Sequence, residues 1–136
     1  MQLIKGHIVR GEKLTLHLTA WGRLGEAMAN HEGQDVFVFG GIPGEQVVAE
    51  VIRVRRKYVA ARLVEVLEPS PHRVEPPCPY FGDCTGCQWQ HVAYSSQLAA
   101  KRDRVVDALR RVGQFADPPV AAVLPSAHQY EYRNHA

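Results

Sequence analysis

The chain has 136 residues, three cysteines and a formal net charge of +2. This length fits one ordinary domain or two small ones, and it excludes a full nucleotide-binding domain with an accessory domain beside it. No segment approaches the ~20 apolar residues of a membrane span, and residues 1–6 lack the long apolar run of an export signal. We therefore expect a cytoplasmic protein with no membrane partner, in a compartment where thiols stay reduced.

Residues 1–68 are predicted to form a small, mainly β domain. Apolar and polar residues alternate over 13–19, which is the period of a half-buried strand, so Leu14, Leu16 and Leu18 should face a core. Further strands are predicted at 34–39, 45–54 and 57–67, with a glycine-rich turn at 40–44. Short strands divided by glycine turns favour an OB-like barrel, because closure of the sheet removes its exposed edges.

Residues 69–136 are predicted to begin a second domain. Its first part is a connector in which proline locks the backbone and removes hydrogen-bond donors; the prolines are Pro69, Pro71, Pro76, Pro77 and Pro79. A helix is predicted over 95–112, with Ser95 or Ser96 as its N-cap and Gly113 as its C-terminal stop. The chain then ends without a turn or cap, which we interpret as a cut within the domain.

The three cysteines lie together in the connector, as Cys78, Cys84 and Cys87, with C-x5-C-x2-C spacing. An odd number of cysteines argues against a disulfide framework, and crowding in a loop rich in Pro and Gly favours a metal or cluster site. Metal-thiolate sites usually need four ligands. Two alternatives stay open: His91 completes a structural Cys3His zinc site, or the fourth ligand lies beyond residue 136.

A run of basic residues lies near the end of the predicted barrel. From residue 53 to 62 there are five basic side chains and no acidic one: Arg53, Arg55, Arg56, Lys57 and Arg62. OB-like barrels bind nucleic-acid backbones in basic grooves and stack bases on aromatic rings. We therefore predict RNA contacts by Arg55, Arg56 and Lys57, with Tyr58 as a stacking ring; the alternative is a solvated strand face.

The order of these features resembles the N-terminal part of the RNA uracil-5-methyltransferases, in the branch that modifies 23S ribosomal RNA and carries a TRAM domain, an OB-like RNA-binding barrel. Four motifs after the barrel carry the resemblance: Ser70-Pro71-His72-Arg73-Val74, Cys78-x5-Cys84-x2-Cys87-Gln88-Trp89-Gln90-His91, Tyr94-x2-Gln97-Leu98-x2-Lys101 and Tyr132-Arg133-Asn134. Thr85 and His135 depart from residues common in the family, which affects loop geometry and one RNA contact but removes no thiolate.

The resemblance implies that Cys78, Cys84 and Cys87 bind a [4Fe-4S] cluster, with a fourth cysteine beyond this chain. It also implies that the S-adenosylmethionine site and the catalytic residues belong to the full-length enzyme, so that this chain lacks the catalytic domain. Arg133 becomes a further RNA-binding residue by the same resemblance. RNA is the implied partner, ribosomal rather than transfer RNA, and we expect a monomer. The alternative is a stand-alone RNA-binding module with the Cys3His zinc site.

Overall fold

The computed structural model describes residues 7–135, which form a mainly β protein with six strands and one helix. The chain divides into two compact units, Met1–His91 and Val92–Ala136. Residues 69–91 thus belong to the same unit as the strands, and the domain boundary predicted after residue 68 stays a prediction. Residues 1–6, where no export signal is predicted, lie outside the described residues. No helix among the described residues has the length and apolar character needed to cross a membrane.

The first unit is a six-stranded sheet with the order β1-β5-β6-β4-β3-β2. Its strands are β1 (Lys13–His17), β2 (Ala20–Trp21), β3 (Ala27–His31), β4 (Gln34–Phe39), β5 (Gln46–Val54) and β6 (Val59–Glu68). β4 and β6 are parallel, and the other pairs are antiparallel. Between β1 and β2 the Leu18 N–H donates to Glu45 O, and the Thr19 N–H donates to Met28 O. The chain therefore changes partner from β5 to β3, which curves the sheet into the predicted barrel-like fold.

Alternation along the strands builds the core, as the sequence predicted. Leu14, Leu16 and Leu18 are all buried, and so are Val36 and Val38 of β4. Because successive side chains of a strand point to opposite faces, the aromatic rings of β4 fall on the outer face. Phe37 is half-buried there and Phe39 is exposed.

Two strands, β2 and β3, were not predicted. The residues of β3, Ala-Met-Ala-Asn-His, include no β-branched side chain, so propensity gives no strand signal. The strand forms through its pairing with β4 across a two-residue turn, in which Glu32 and Gly33 have φ of 51° and 84°. Positive φ at both positions suits the twist of a tight hairpin.

The predicted strand over 57–67 begins too early. The Arg55 N–H donates to Tyr58 O across a tight turn, and β6 starts only at Val59. Three of the predicted RNA-binding residues and the stacking ring therefore lie on a turn at one end of the barrel. Such a turn presents long side chains to solvent more fully than a paired strand does.

The second unit contains helix α1 (Tyr94–Arg111). The predicted serine cap is wrong: Ala93 is the N-cap, no side chain caps the helix, and Ser95 and Ser96 lie within its first turn. Gly113 does follow the helix, and a Cβ there would lie 2.7 Å from Leu109 O. Close approach of the backbone, rather than a positive φ, therefore requires glycine at this stop.

Candidate nucleic-acid interface and cysteine loop

The turn between β5 and β6 concentrates positive charge. We call residues Arg55, Arg56, Lys57 and Tyr58 the basic turn; all four are exposed. The Arg55 guanidinium donates to the Val54 carbonyl oxygen at 3.4 Å. Within residues 7–135, Arg56 and Lys57 have neither an ion pair nor a side-chain hydrogen bond. Their charges are therefore available to an anionic partner.

The rest of the basic run is not equivalent to this turn. Arg62 donates through Nε and Nη2 to Glu50 Oε2, at 3.1 and 2.8 Å, across the β5–β6 pair. The neighbouring carboxylate largely neutralises its charge. Arg62 was not among the predicted RNA-binding residues, but its ion pair was not predicted, because Glu50 lies 12 residues away and becomes its neighbour only through strand pairing.

Tyr58 of the basic turn packs against Phe37 of β4. The rings of Phe37 and Tyr58 lie 6.0 Å apart with an angle of 76° between their planes, an edge-to-face arrangement. Tyr58 is 37% exposed, so its ring is braced by β4 and still reaches solvent. An exposed aromatic ring of this kind can stack on an unpaired base.

Arg133, the remaining predicted RNA-binding residue, belongs to the second unit and is exposed. Its guanidinium carbon lies 6.0 Å from the centre of the Tyr132 ring, at the outer limit of a cation–π contact.

The cysteine loop, residues 78–87, contains three free thiols. Cys84 and Cys87 are exposed and Cys78 is half-buried. The Cys84 N–H donates to Tyr80 O at 2.9 Å, and the Gly86 N–H donates to Cys84 Sγ at 3.4 Å. Across residues 7–135, no three Cys, His, Asp or Glu side chains lie close enough together to hold one metal ion. The donor set nevertheless fits a thiolate-bound group, because three unpaired thiols share one solvent-accessible loop.

A buried ion pair attaches residues 70–73, which precede the cysteine loop, to the barrel. Glu45 is fully buried, and its carboxylate accepts from Arg73 Nε at 2.6 Å and Arg73 Nη2 at 2.9 Å. The same carboxylate accepts from the N–H groups of Ser70 and Ile42, and Arg73 Nη2 also donates to Gly40 O. Burial raises the pKa of Glu45, but the hydrogen bonds and charge of Arg73, with the two N–H donors, hold that pKa below its ordinary value.

Two further contacts attach residues 89–91, which follow the cysteine loop, to the barrel. Trp89 donates from its indole N–H to Gly25 O at 2.8 Å, and its ring lies 4.9 Å from that of Trp21. His91 is buried, with Nε2 3.1 Å from Gly41 O. Both ends of the cysteine loop are thus held on the barrel while the loop itself stays exposed.

His91 bears directly on the zinc alternative. With Nε2 donating to Gly41 O, Nδ1 is an acceptor, and this buried atom has no hydrogen-bond partner among the described residues. Burial lowers the pKa of His91 below its ordinary value, and the positive charge of Arg73 adds to that effect. The neutral ring could serve as a metal ligand, but the described residues do not gather it with the three thiols.

The sequence analysis did not predict the ion pair that holds the segment before the loop. Arg73 appeared only inside a motif, and Glu45 appeared only as the first residue of a predicted strand. A single charged residue beside a Val-rich strand carries no sequence signal of burial. Its partner lies 28 residues away and is found only from the structure.

Comparisons with known proteins agree with this architecture. Residues 9–64 match the TRAM domain family. The chain is 40% identical over 127 residues to an uncharacterized RNA methyltransferase of Nostoc sp., covering 93% of this chain and 28% of that protein. It is 47% identical over 104 residues to one of Chlorobaculum tepidum, covering 76% of this chain and 22% of that protein.

A solved structure has the same fold over most of the chain. The tRNA (uracil-54, C5)-methyltransferase of Pyrococcus abyssi, in complex with S-adenosyl-L-homocysteine, aligns with a TM-score of 0.55 and 24% identity. The alignment covers 84% of this chain and 24% of that one. The chain thus spans between a fifth and a third of the length of these relatives. Residues 9–64 thus match a TRAM domain, and most of the chain is similar to proteins named as RNA methyltransferases, which is consistent with the N-terminal part of such an enzyme.

Proposed function

We propose that this chain is the RNA-binding and cluster-binding N-terminal part of an S-adenosylmethionine-dependent uracil-5-methyltransferase that acts on 23S ribosomal RNA. The observation that carries the proposal is the basic turn with its two uncompensated cations, placed on a TRAM domain in a chain related to RNA methyltransferases. The Pyrococcus abyssi relative, a uracil C5 methyltransferase with S-adenosyl-L-homocysteine bound, supports the methyl donor and the target base by analogy.

The basic turn supplies the sequence-independent part of RNA binding. Arg55, Arg56 and Lys57 contact phosphates, and each contact releases condensed counterions, so affinity falls as salt rises. Tyr58 adds a stacked base, an interaction worth about 1 to 3 kcal/mol. Because unstacked bases are open to such a ring, single-stranded or loop RNA binds better than a regular duplex.

A salt titration tests this assignment. The triple variant Arg55→Ala/Arg56→Ala/Lys57→Ala should flatten the slope of log affinity against log salt by up to about 2 to 3 units, at roughly 0.7 to 0.9 per phosphate contact. The matched control removes three exposed cations elsewhere, Arg10, Lys13 and Lys101, and should change the slope less. An unchanged slope in the basic-turn variant would show that the turn is only solvated, and would direct the search to Arg133.

Stacking by Tyr58 is separable from electrostatics. Tyr58→Phe keeps the ring and should keep RNA affinity, whereas Tyr58→Ala should lose about 1 to 3 kcal/mol of binding. If Tyr58→Ala instead lowers stability with RNA affinity unchanged, the ring serves only to pack against Phe37.

The cysteine loop is proposed to hold a [4Fe-4S] cluster through Cys78, Cys84 and Cys87, with a fourth thiolate from the rest of the protein. Such a cluster would fix the loop and the adjoining central domain, because ligand binding supplies folding free energy. The chain's own contribution is to present three thiols on a loop whose two ends are fastened to the barrel by Arg73, Trp89 and His91.

Metal analysis without oxygen distinguishes this proposal from the zinc alternative. The full-length protein should contain iron and sulfide, and Cys84→Ala should lose both. In the 136-residue chain the cluster should be absent or labile, since one ligand is missing. Stoichiometric zinc in the 136-residue chain, lost on His91→Ala, would instead establish the Cys3His module without catalysis.

Methyl transfer itself is assigned to the rest of the protein. The 136-residue chain, incubated with labelled S-adenosylmethionine and RNA, should transfer no label, whereas the full-length monomeric, cytoplasmic enzyme should label ribosomal RNA in preference to transfer RNA. Label on transfer RNA alone would reassign the substrate and leave the reaction type intact.

A further inference from the structure

A concave polar pocket lies between two turns at one end of the barrel. It has a volume of about 310 Å³, and its polar side chains come from the β3–β4 turn and from the basic turn: His31, Glu32, Gln34, Asp35, Arg56 and Lys57. That volume is at the lower end of small-ligand sites. Within residues 7–135, the side chains of His31, Glu32, Arg56 and Lys57 have no hydrogen bond or ion pair. Most of the polar groups that line the pocket are therefore free to bind a ligand.

Hydrogen bonds hold the pocket wall in place. Asn30 accepts from the Gly33 N–H at 3.0 Å and donates to Asp35 Oδ1 at 3.3 Å, which braces the β3–β4 turn. Gln34 donates to Arg55 O at 3.5 Å and links this turn to the basic turn. A wall of this kind needs little reordering when a ligand binds, which lowers the entropic cost of binding.

Glu32 adds an independent observation. Its φ of 51° lies in the left-handed region, which asparagine or glycine adopts at lower cost in a two-residue hairpin turn. The turn requires positive φ at this position, so it is the glutamate side chain, in place of asparagine or glycine, that gives a reason to look for a functional role. The Glu32 carboxylate is part of the lining of the pocket.

The mixture of charges selects the class of ligand. Arg56 and Lys57 suit a phosphate, but Glu32 and Asp35 on the same pocket would repel an anion that filled it. A ligand with both a phosphate and an N–H donor suits the pocket, because the phosphate can pair with the two cations and the N–H group can donate to a carboxylate. Carboxylates are the natural acceptors for the amino group of cytosine. Uracil presents a carbonyl oxygen at the corresponding position, which a carboxylate repels.

We propose that this pocket binds the base of an unpaired nucleotide that carries an exocyclic amino group, cytosine above uracil, with the adjoining phosphate on Arg56 and Lys57. The inference rests on the proposed RNA-binding function and adds base selectivity to it. The pocket would then contact the RNA at a nucleotide other than the methylated uridine.

The test compares short single-stranded oligocytidine and oligouridine RNAs, binding to the 136-residue chain by fluorescence anisotropy near neutral pH. Oligocytidine should bind about 5- to 10-fold more tightly, near the lower end of the discrimination that one base contact supplies. In Glu32→Gln/Asp35→Asn, which keeps side-chain shape, the ratio should fall to within about 2-fold, chiefly through stronger oligouridine binding as the carboxylate repulsion is removed.

A matched control removes two negative charges outside the pocket, in Glu65→Gln/Glu68→Gln on β6, where both residues are exposed. This variant should bind both RNAs more tightly by the same factor, so the ratio of their affinities should not change. Thermal unfolding should show that every variant is folded. Equal affinities for the two RNAs in wild type, with salt-dependent binding still lost in the basic-turn variant, would overturn the base pocket and leave the RNA-binding function standing. No binding of either RNA would overturn both.

Discussion

The ion pair between Glu45 and Arg73 should be a principal determinant of the stability of the first unit. Arg73→Met keeps most of the side-chain volume but leaves the fully buried Glu45 carboxylate with only the Ser70 and Ile42 N–H donors. Removal of one partner of a buried pair typically costs about 3 to 5 kcal/mol, because the other charge stays uncompensated. Since small domains are stable by about 5 to 15 kcal/mol in total, the loss should be large.

Urea unfolding gives the measurement, with the midpoint and slope determined for each variant. The matched control is Arg62→Met, which breaks the pair with Glu50; the Arg62 side chain there is 65% exposed. Exposed pairs contribute about 0 to 1 kcal/mol, so this control should differ little from wild type. The double variant Glu45→Met/Arg73→Met should recover much of the lost stability, since it removes both buried charges. A loss for Arg73→Met no larger than that for Arg62→Met would refute the reasoning.

Three further outcomes follow from the same contacts. Burial lowers the pKa of His91 below its ordinary 6.5, so the unfolded chain binds the proton first as the pH falls; the stability that His91 contributes should be complete above about pH 6.5 and decline below it. In urea midpoints measured over a series of pH values, His91→Gln should flatten that decline. The contribution of Glu45 should be lost only below the ordinary carboxyl pKa of 4.5. Trp89→Phe removes the indole donor to Gly25 O and should lower the free energy of unfolding by about 1 kcal/mol, whereas a neutral result would mean that water replaces the bond. Glu32→Asn relieves the left-handed backbone and should raise the unfolding temperature, with up to about 1 kcal/mol of added stability; a decrease would show that the Glu32 side chain stabilises the turn.

The strands that alternate clearly were predictable from the sequence, and those that depend on a partner were not. Leu14, Leu16 and Leu18 alternate with polar residues and form one side of the core as predicted. By contrast, β3 has no β-branched residue and exists because β4 pairs with it. Helix α1 was predicted to within a residue at each end, but its cap was not, since Ala93 offers no side-chain acceptor.

The candidate sites divide in the same way. The basic turn and the cysteine loop could be located from residue type and spacing alone. Which cations stay unpaired could not, because Arg62 meets Glu50 only across paired strands. Nor could the fastening of the loop be predicted, since Glu45 and Arg73 are 28 residues apart and nothing in the local sequence marks their contact.

The central claim is that the TRAM domain binds single-stranded RNA through the basic turn. Nuclear magnetic resonance of the isotope-labelled chain, titrated with a short single-stranded RNA, tests it residue by residue. We expect the amide shifts to concentrate at residues 55–58 and 31–35, the two segments that contribute the polar lining of the pocket. Shifts that spare both turns and fall instead on β1, or only around Arg133, would contradict it.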